Sequence, residues 1–211
     1  MGKIELAINL QETNGNGKIK LTMILIKGND VLPDFFISDA PITQCTWNML
    51  KGPKTEVEHS QFGIGEDYPM YYVDVQDCKD FISVLNGQLL TELQKASQTS
   101  YAFDKFELPT EEQWEFVARE GNERSDFRYS GSDEIEEVAW YKRNSDSRVH
   151  EIKTKLPNAL GVYDMSGNVM EWCKKDNSNQ YVTRGGSWYH NADECRVDSR
   201  STIYRNKQKL P

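Results

Sequence analysis

Arg184-Gly185-Gly186-Ser187-Trp188, followed by Cys195-Arg196 and Arg200, decides how this chain is read. It comes soon after Gly161-Val162-Tyr163-Asp164-Met165-Ser166-Gly167-Asn168-Val169-Met170-Glu171-Trp172. A Gly-Gly pair gives a backbone free of Cβ clashes, as tight turns and close chain approaches require. The tryptophan and the arginines beside it suit an aromatic platform with fixed donors.

Working outward, Ile4 to Leu10 and Ile19 to Ile26 are apolar-rich runs around Asn14-Gly15-Asn16-Gly17, a hairpin signal. Phe35-Phe36-Ile37 reads as a short buried strand. A first helix runs from about Thr43 to Leu50 and ends at Gly52-Pro53. A second starts near Asp74 and puts Val75, Cys78, Phe81, Ile82 and Leu85 on one face, with Gly87 as its stop. Thr110-Glu111-Glu112-Gln113 is a capping box that opens a third, ending at Gly121. Ser125 to Lys155 has turn residues and aromatics without a sustained period. It reads as long loops, which inside a compact domain are often functional.

The 211 residues suffice for one core and one domain, 1–211. A net charge of −8 argues against a nucleic-acid or anionic-membrane surface as the main partner. No N-terminal apolar region and no bilayer-length apolar run is present, so the chain reads as cytoplasmic. Cys45, Cys78, Cys173 and Cys195 are scattered, which favours reduced, mostly buried thiols over a disulfide framework.

Several motifs in order resemble the formylglycine-generating-enzyme, or sulfatase-modifying-factor, family. Pro41-Ile42-Thr43-Gln44-Cys45-Thr46-Trp47 resembles its early helix, and Tyr68-Pro69-Met70 through Phe81 its next segment. Phe106-Glu107-Leu108-Pro109-Thr110-Glu111-Glu112-Gln113-Trp114-Glu115-Phe116 is similar to its "R-L-P-T-E-A-E-W-E" helix, and Pro157-Asn158-Ala159-Leu160-Gly161-Val162-Tyr163-Asp164 to its "P-N-x-x-G-L-Y-D" turn. The resemblance implies an α+β, C-type-lectin-like fold: a small twisted antiparallel sheet, two or three helices and extensive ordered loops. Gln88 to Asp104 fits the pattern poorly and looks like an insertion. The resemblance implies a closing strand soon after the Arg-rich segment; with the sequence stopping at Lys209-Leu210-Pro211, that strand is expected to be absent or its role filled differently.

The resemblance also frames the chemistry. Catalytic members hold copper(I) between two cysteines after the Gly-Gly-Ser and oxidise a substrate cysteine to formylglycine. Copper(I) is soft and prefers two thiolates. Here the second position is Cys195 and the first is His190. That disfavours copper and catalysis and leaves Cys195 as a small buried hydrophobe. Asp164, Gly167, Val169 and Glu171 are similar to a structural calcium site, with two carboxylates and two carbonyls around a turn. On spacing alone, Asp164 caps its own turn and Glu171 pairs with an arginine.

Around Trp188 sit Tyr189, His190, Asn191, Asp193, Glu194, Asp198, Ser199 and Tyr204. This polar-aromatic mixture is that of adaptable binding surfaces, and it resembles the variable segment of retroelement-diversified proteins. Trp188, Cys195 and Arg196 are expected to be its scaffold. The sequence therefore favours a non-catalytic module for a protein or small-molecule ligand. The alternative is a copper-dependent oxidase.

Overall fold

A computed structural model describes residues 5–11, 18–54, 57, 61–96, 105–175 and 178–201. Strand β1 (Glu5–Gln11) pairs antiparallel with β2 (Lys18–Ile26), and β2 with β3 (Phe35–Ser38). This is the expected hairpin, although its Asn14 to Gly17 turn lies outside the described residues. Side chains alternate between strand faces. Leu21 and Met23 accordingly enter one core cluster and Ile24 and Ile26 another, so β2 is buried on both sides. Phe35, Phe36 and Ile37 are half-buried rather than buried, because β3 is an edge strand.

Strands β4 (Glu171–Lys174), β5 (Tyr181–Arg184) and β6 (Arg200–Ser201) make a second antiparallel sheet. Among the described residues the expected small antiparallel sheet is therefore two three-stranded sheets. Strands of two to four residues carry too few alternations to reveal a period.

Helix α1 (Gln44–Lys51) opens where the Thr43 side chain accepts from the Thr46 N–H, and it stops at Gly52. Helix α2 (Val75–Ala96) carries Phe81 and Leu85 into the core. It runs through Gly87, the expected stop. One glycine costs a helix interior only about 1 kcal/mol, and Gln88 to Ala96 is rich in strong helix formers. The segment read as an insertion is thus partly helical, and residues 97–104 lie outside the described set.

Helix α3 (Glu111–Ala118) has the expected capping box between Thr110 and Gln113. It ends at Ala118, ahead of Gly121, because Glu120 adopts a left-handed φ of 67°. Within the long loops, α4 (Ile135–Val138) is a single turn. The last ten residues, which bear on the closing strand, lie outside the described set. Among the described residues no helix is long and apolar enough to cross a membrane.

The second sheet is joined to α3 by Arg184, whose side chain is buried. Its Nη1 donates to the Ser199 carbonyl at 2.8 Å, and its Nη2 to the Val197 carbonyl at 3.2 Å and to the Glu115 carboxylate. The guanidinium lies 5.1 Å from the centre of the Trp114 ring. Nε is 3.7 Å from Glu111, an ion pair without hydrogen-bond geometry. Removing Arg184 leaves Glu115 with Arg119 at 2.9 Å and Glu111 with Arg200 at 3.8 Å, but takes the donor from the Val197 and Ser199 carbonyls. Arg184→Met should therefore lower unfolding free energy by about 2 kcal/mol in denaturant titrations. A loss below about 1 kcal/mol would contradict this role.

Candidate functional site

The two motifs that decide the fold meet in space. Gly185 and Gly186 take left-handed φ values of 85° and 69°. A Cβ on Gly186 would lie 2.7 Å from Cys195 Sγ and 2.8 Å from the Glu194 carbonyl oxygen. The chain thus leaves β5 directly against a 3-10 turn at Ala192–Cys195. Gly167 N–H donates to the Gly185 carbonyl at 2.8 Å, and Trp188 N–H to the Asn168 carbonyl at 3.0 Å. Gly167 is required here, since a Cβ would sit 2.3 Å from the Trp140 carbonyl oxygen.

On this frame the segment divides. Gly186, Ser187, Trp188, Cys195 and Val197 are buried. Tyr189 is 59% exposed. Asn191, Asp193, Glu194 and Asp198 are exposed, and His190 and Ser199 are half-buried. Tyr204 lies outside the described residues. Arg196 is not the buried scaffold expected of it. It pairs with Asp198 at the surface, 2.9 Å away, because the interior cationic position is filled by Arg184. Glu194 is exposed but held, accepting from the Asn191 N–H at 3.0 Å in a capping box.

The Ser187 hydroxyl is 2.8 Å from His190 Nδ1, and His190 Nε2 is 3.9 Å from Glu194. These residues adjoin without forming a hydrolytic triad: the ring nitrogens are reversed, and Glu194 is beyond hydrogen-bond distance. Ser187 is also fully buried, so its hydroxyl meets no substrate. Burial pushes the His190 imidazole below its ordinary pKa, against the pull of Glu194. The Cys195 thiol is packed beneath the turn, and burial pushes it up to about 12. All four cysteines are free thiols.

Asp164 is buried with φ 58°. Its carboxylate accepts from the Lys153 N–H at 2.8 Å and from the Asn168 amide at 3.3 Å. Glu171 lines an apolar groove of about 550 Å³ together with Met165 and Trp172. The residue as a whole is half-buried. Loss of water around its carboxyl still pushes it up to about 8. The Trp114 indole N–H pulls the other way, though outside hydrogen-bond geometry, and Asp164 adds repulsion. No arginine or lysine pairs with Glu171 among the described residues, contrary to the spacing-based reading. No group of three or more His, Cys, Asp or Glu side chains that could hold a metal occurs among them either.

Sequence reasoning missed Phe62, Lys142 and Ser145. The Phe62 ring lies 5.0 Å from that of Trp188, tilted by 31°, Lys142 sits 5.9 Å from the Tyr189 ring, and Ser145 donates to the Trp188 carbonyl at 2.9 Å. The one available signal was the length of the 125–155 loop region, which holds two of the three. Substitutions should split the segment. Tyr189→Ala and Asp193→Ala should change stability by no more than about 0.5 kcal/mol, and Asn191→Ala, which removes a cap of the 3-10 turn, by about 1 kcal/mol. Trp188→Ala should cost roughly 3–5 kcal/mol in thermal or denaturant unfolding. If Tyr189→Ala cost as much as Trp188→Ala, Tyr189 would be a core residue.

Comparison with known proteins agrees with this architecture. The Treponema denticola variable protein 1 superposes with a TM-score of 0.75 at 23% identity, covering 97% of this chain and 95% of that one. PvdO from Pseudomonas aeruginosa superposes at 0.57 with 17% identity, covering 94% and 85%. The chaperone protein LppX of Paenibacillus barcinonensis is 24% identical, over 88% of this chain and 85% of that protein. The serine/threonine-protein kinase Pkn1 of Chlamydia trachomatis is 25% identical over 82% of this chain, which spans only 31% of that protein. Residues 27–209 match the sulfatase-modifying factor enzyme 1-like domain, and the chain belongs to that family.

Proposed function

We propose that this chain is a non-catalytic binding module whose ligand, a protein or a small molecule, meets the face around Tyr189. One observation carries the reading: the segment after the Gly-Gly turn has a buried frame and outward side chains. Trp188 and Cys195 are buried, whereas Tyr189, Asn191, Asp193 and Asp198 are exposed. A turn built this way tolerates new side chains without new folding. The likeness to a variable protein and to a chaperone supports the same reading.

The oxidase alternative needs two thiolates for copper(I). Here a half-buried imidazole stands at the first position, and the thiol at the second is held protonated by burial. The purified protein should therefore leave a Cys-x-Pro-x-Arg peptide unchanged in the presence of copper and oxygen. Mass spectrometry reads the result, and copper-dependent conversion of the peptide cysteine to an aldehyde would overturn the binding reading.

Calcium at Asp164 and Glu171, with the Gly167 and Val169 carbonyls, is the second part of the proposal. Two carboxyls withdrawn from water, with mutual repulsion and no cationic partner for Glu171, are chemistry that a hard cation or a proton relieves. When bound, calcium would supply fixed charge compensation beneath the turn. In chelator, folded Glu171 keeps a proton between about 4.5 and about 8 that the unfolded chain releases. Stability should therefore fall as pH rises through that window. Calcium should raise the melting temperature most at the alkaline end, and Glu171→Gln should abolish both effects. Melts indifferent to calcium and chelator at pH 8 would remove the site.

A further inference from the structure

We infer that His190 makes the Tyr189 face pH-sensitive: a neutral imidazole holds the turn together, and a protonated one loosens it. This rests on the binding reading above and names a regulation of that face. The imidazole is lodged between two groups that ask different things of it. Its Nδ1 lies 2.8 Å from the Ser187 hydroxyl, and its Nε2 3.9 Å from the Glu194 carboxylate. A carboxylate only accepts, so it favours the ring proton on Nε2. Nδ1 is then an acceptor, and the Ser187 hydroxyl donates to it.

A second proton must go to Nδ1, where it meets that hydroxyl hydrogen. Ser187 is fully buried, so its hydroxyl cannot turn to water instead. A buried donor left unsatisfied costs more than its hydrogen bond contributed. The cation also draws Glu194, whose other oxygen accepts from the Asn191 N–H at 3.0 Å and from the Asn191 amide at 3.3 Å. That oxygen caps the 3-10 turn. Protonation therefore disturbs both ends of the segment from Ser187 to Glu194.

Backbone groups pass the disturbance to the face. Ser187 Oγ also accepts from the Tyr189 N–H at 3.4 Å, and the His190 carbonyl accepts from the Lys142 N–H at 3.0 Å. Among the described residues, Glu194 is the charge that acts on the imidazole. The Lys142 ammonium lies beside the Tyr189 ring, Asp193 faces Tyr129 and Arg196, and the Cys195 thiol stays protonated. Burial outweighs Glu194 and holds the imidazole below its ordinary pKa of 6.5. The folded chain thus binds fewer protons here than the unfolded chain, and this contribution to stability is lost as pH falls below 6.5.

The test is an NMR titration of the full chain from about pH 8 to about pH 5, the range in which histidine changes charge. The imidazole signal that disappears in His190→Asn belongs to His190. Its midpoint should lie below 6.5. The Tyr189, Asn191 and Lys142 amide signals should move with the same midpoint. Hydrogen-exchange protection of the Lys142 amide should fall about 5-fold across it, the worth of one hydrogen bond. Ser187→Ala removes the opposing hydroxyl and should raise the midpoint. A midpoint at or above 6.5 in the unaltered chain would overturn the switch. So would amides that keep their positions and protection while the imidazole titrates, the same amide transition in His190→Asn, or a midpoint unmoved by Ser187→Ala. None of these outcomes touches the binding reading, whose failure shows instead as a core-like stability loss in Tyr189→Ala.

Discussion

The buried guanidinium of Arg184 is the constraint on which the rest depends. A charge withdrawn from water must be compensated on several sides. Here the compensation comes from α3 through Glu111 and Glu115, from the Trp114 ring face, and from the Val197 and Ser199 carbonyls. These partners are far apart in sequence and can be assembled only if α3, β5 and the chain after Cys195 adopt one arrangement. Arg184 also immediately precedes Gly185 and Gly186, so it fixes where the functional turn begins.

From that point the frame is built by backbone groups and small residues. Trp188 is tied to Asn168, His190 to Ser187, Lys142 to His190 and Val197 to Arg128 by main-chain hydrogen bonds. Gly167 and Gly186 let chains approach where a Cβ would collide. A surface held by its backbone asks little of its outward side chains. This is why Tyr189 and Asp193 can stand exposed without holding the turn together. It is also why Cys195, wedged under the turn with its thiol protonated, suits packing better than metal chemistry.

Much of the fold was legible where the signal is local. The signals for the Thr110–Gln113 capping box, for the start of the first helix near Thr43 and for the first hairpin each lie within a few consecutive residues. The family motifs placed the Gly-Gly turn correctly. What failed was either a contest between local signals or a matter of tertiary context. Gly87 looks like a helix stop but is outvoted by the helix formers after it. Arg196 and Arg184 are indistinguishable as letters, and only the packing of Trp114 decides which is interior. Phe62 and Lys142 reach the site across more than forty residues of sequence and carried no pattern to announce it.

Native-state amide hydrogen exchange tests the central claim, a rigid backbone frame beneath outward side chains, most directly. Local opening exposes amides with free energies well below that of global unfolding, whereas amides in a cooperative core exchange only with the whole domain. The account predicts that the Trp188 and Val197 amides, which donate to Asn168 and Arg128, are as protected as those of β5. Fast exchange at Trp188 and Val197 while β5 stays protected would mean that the segment is an ordinary mobile loop, and the frame would not exist.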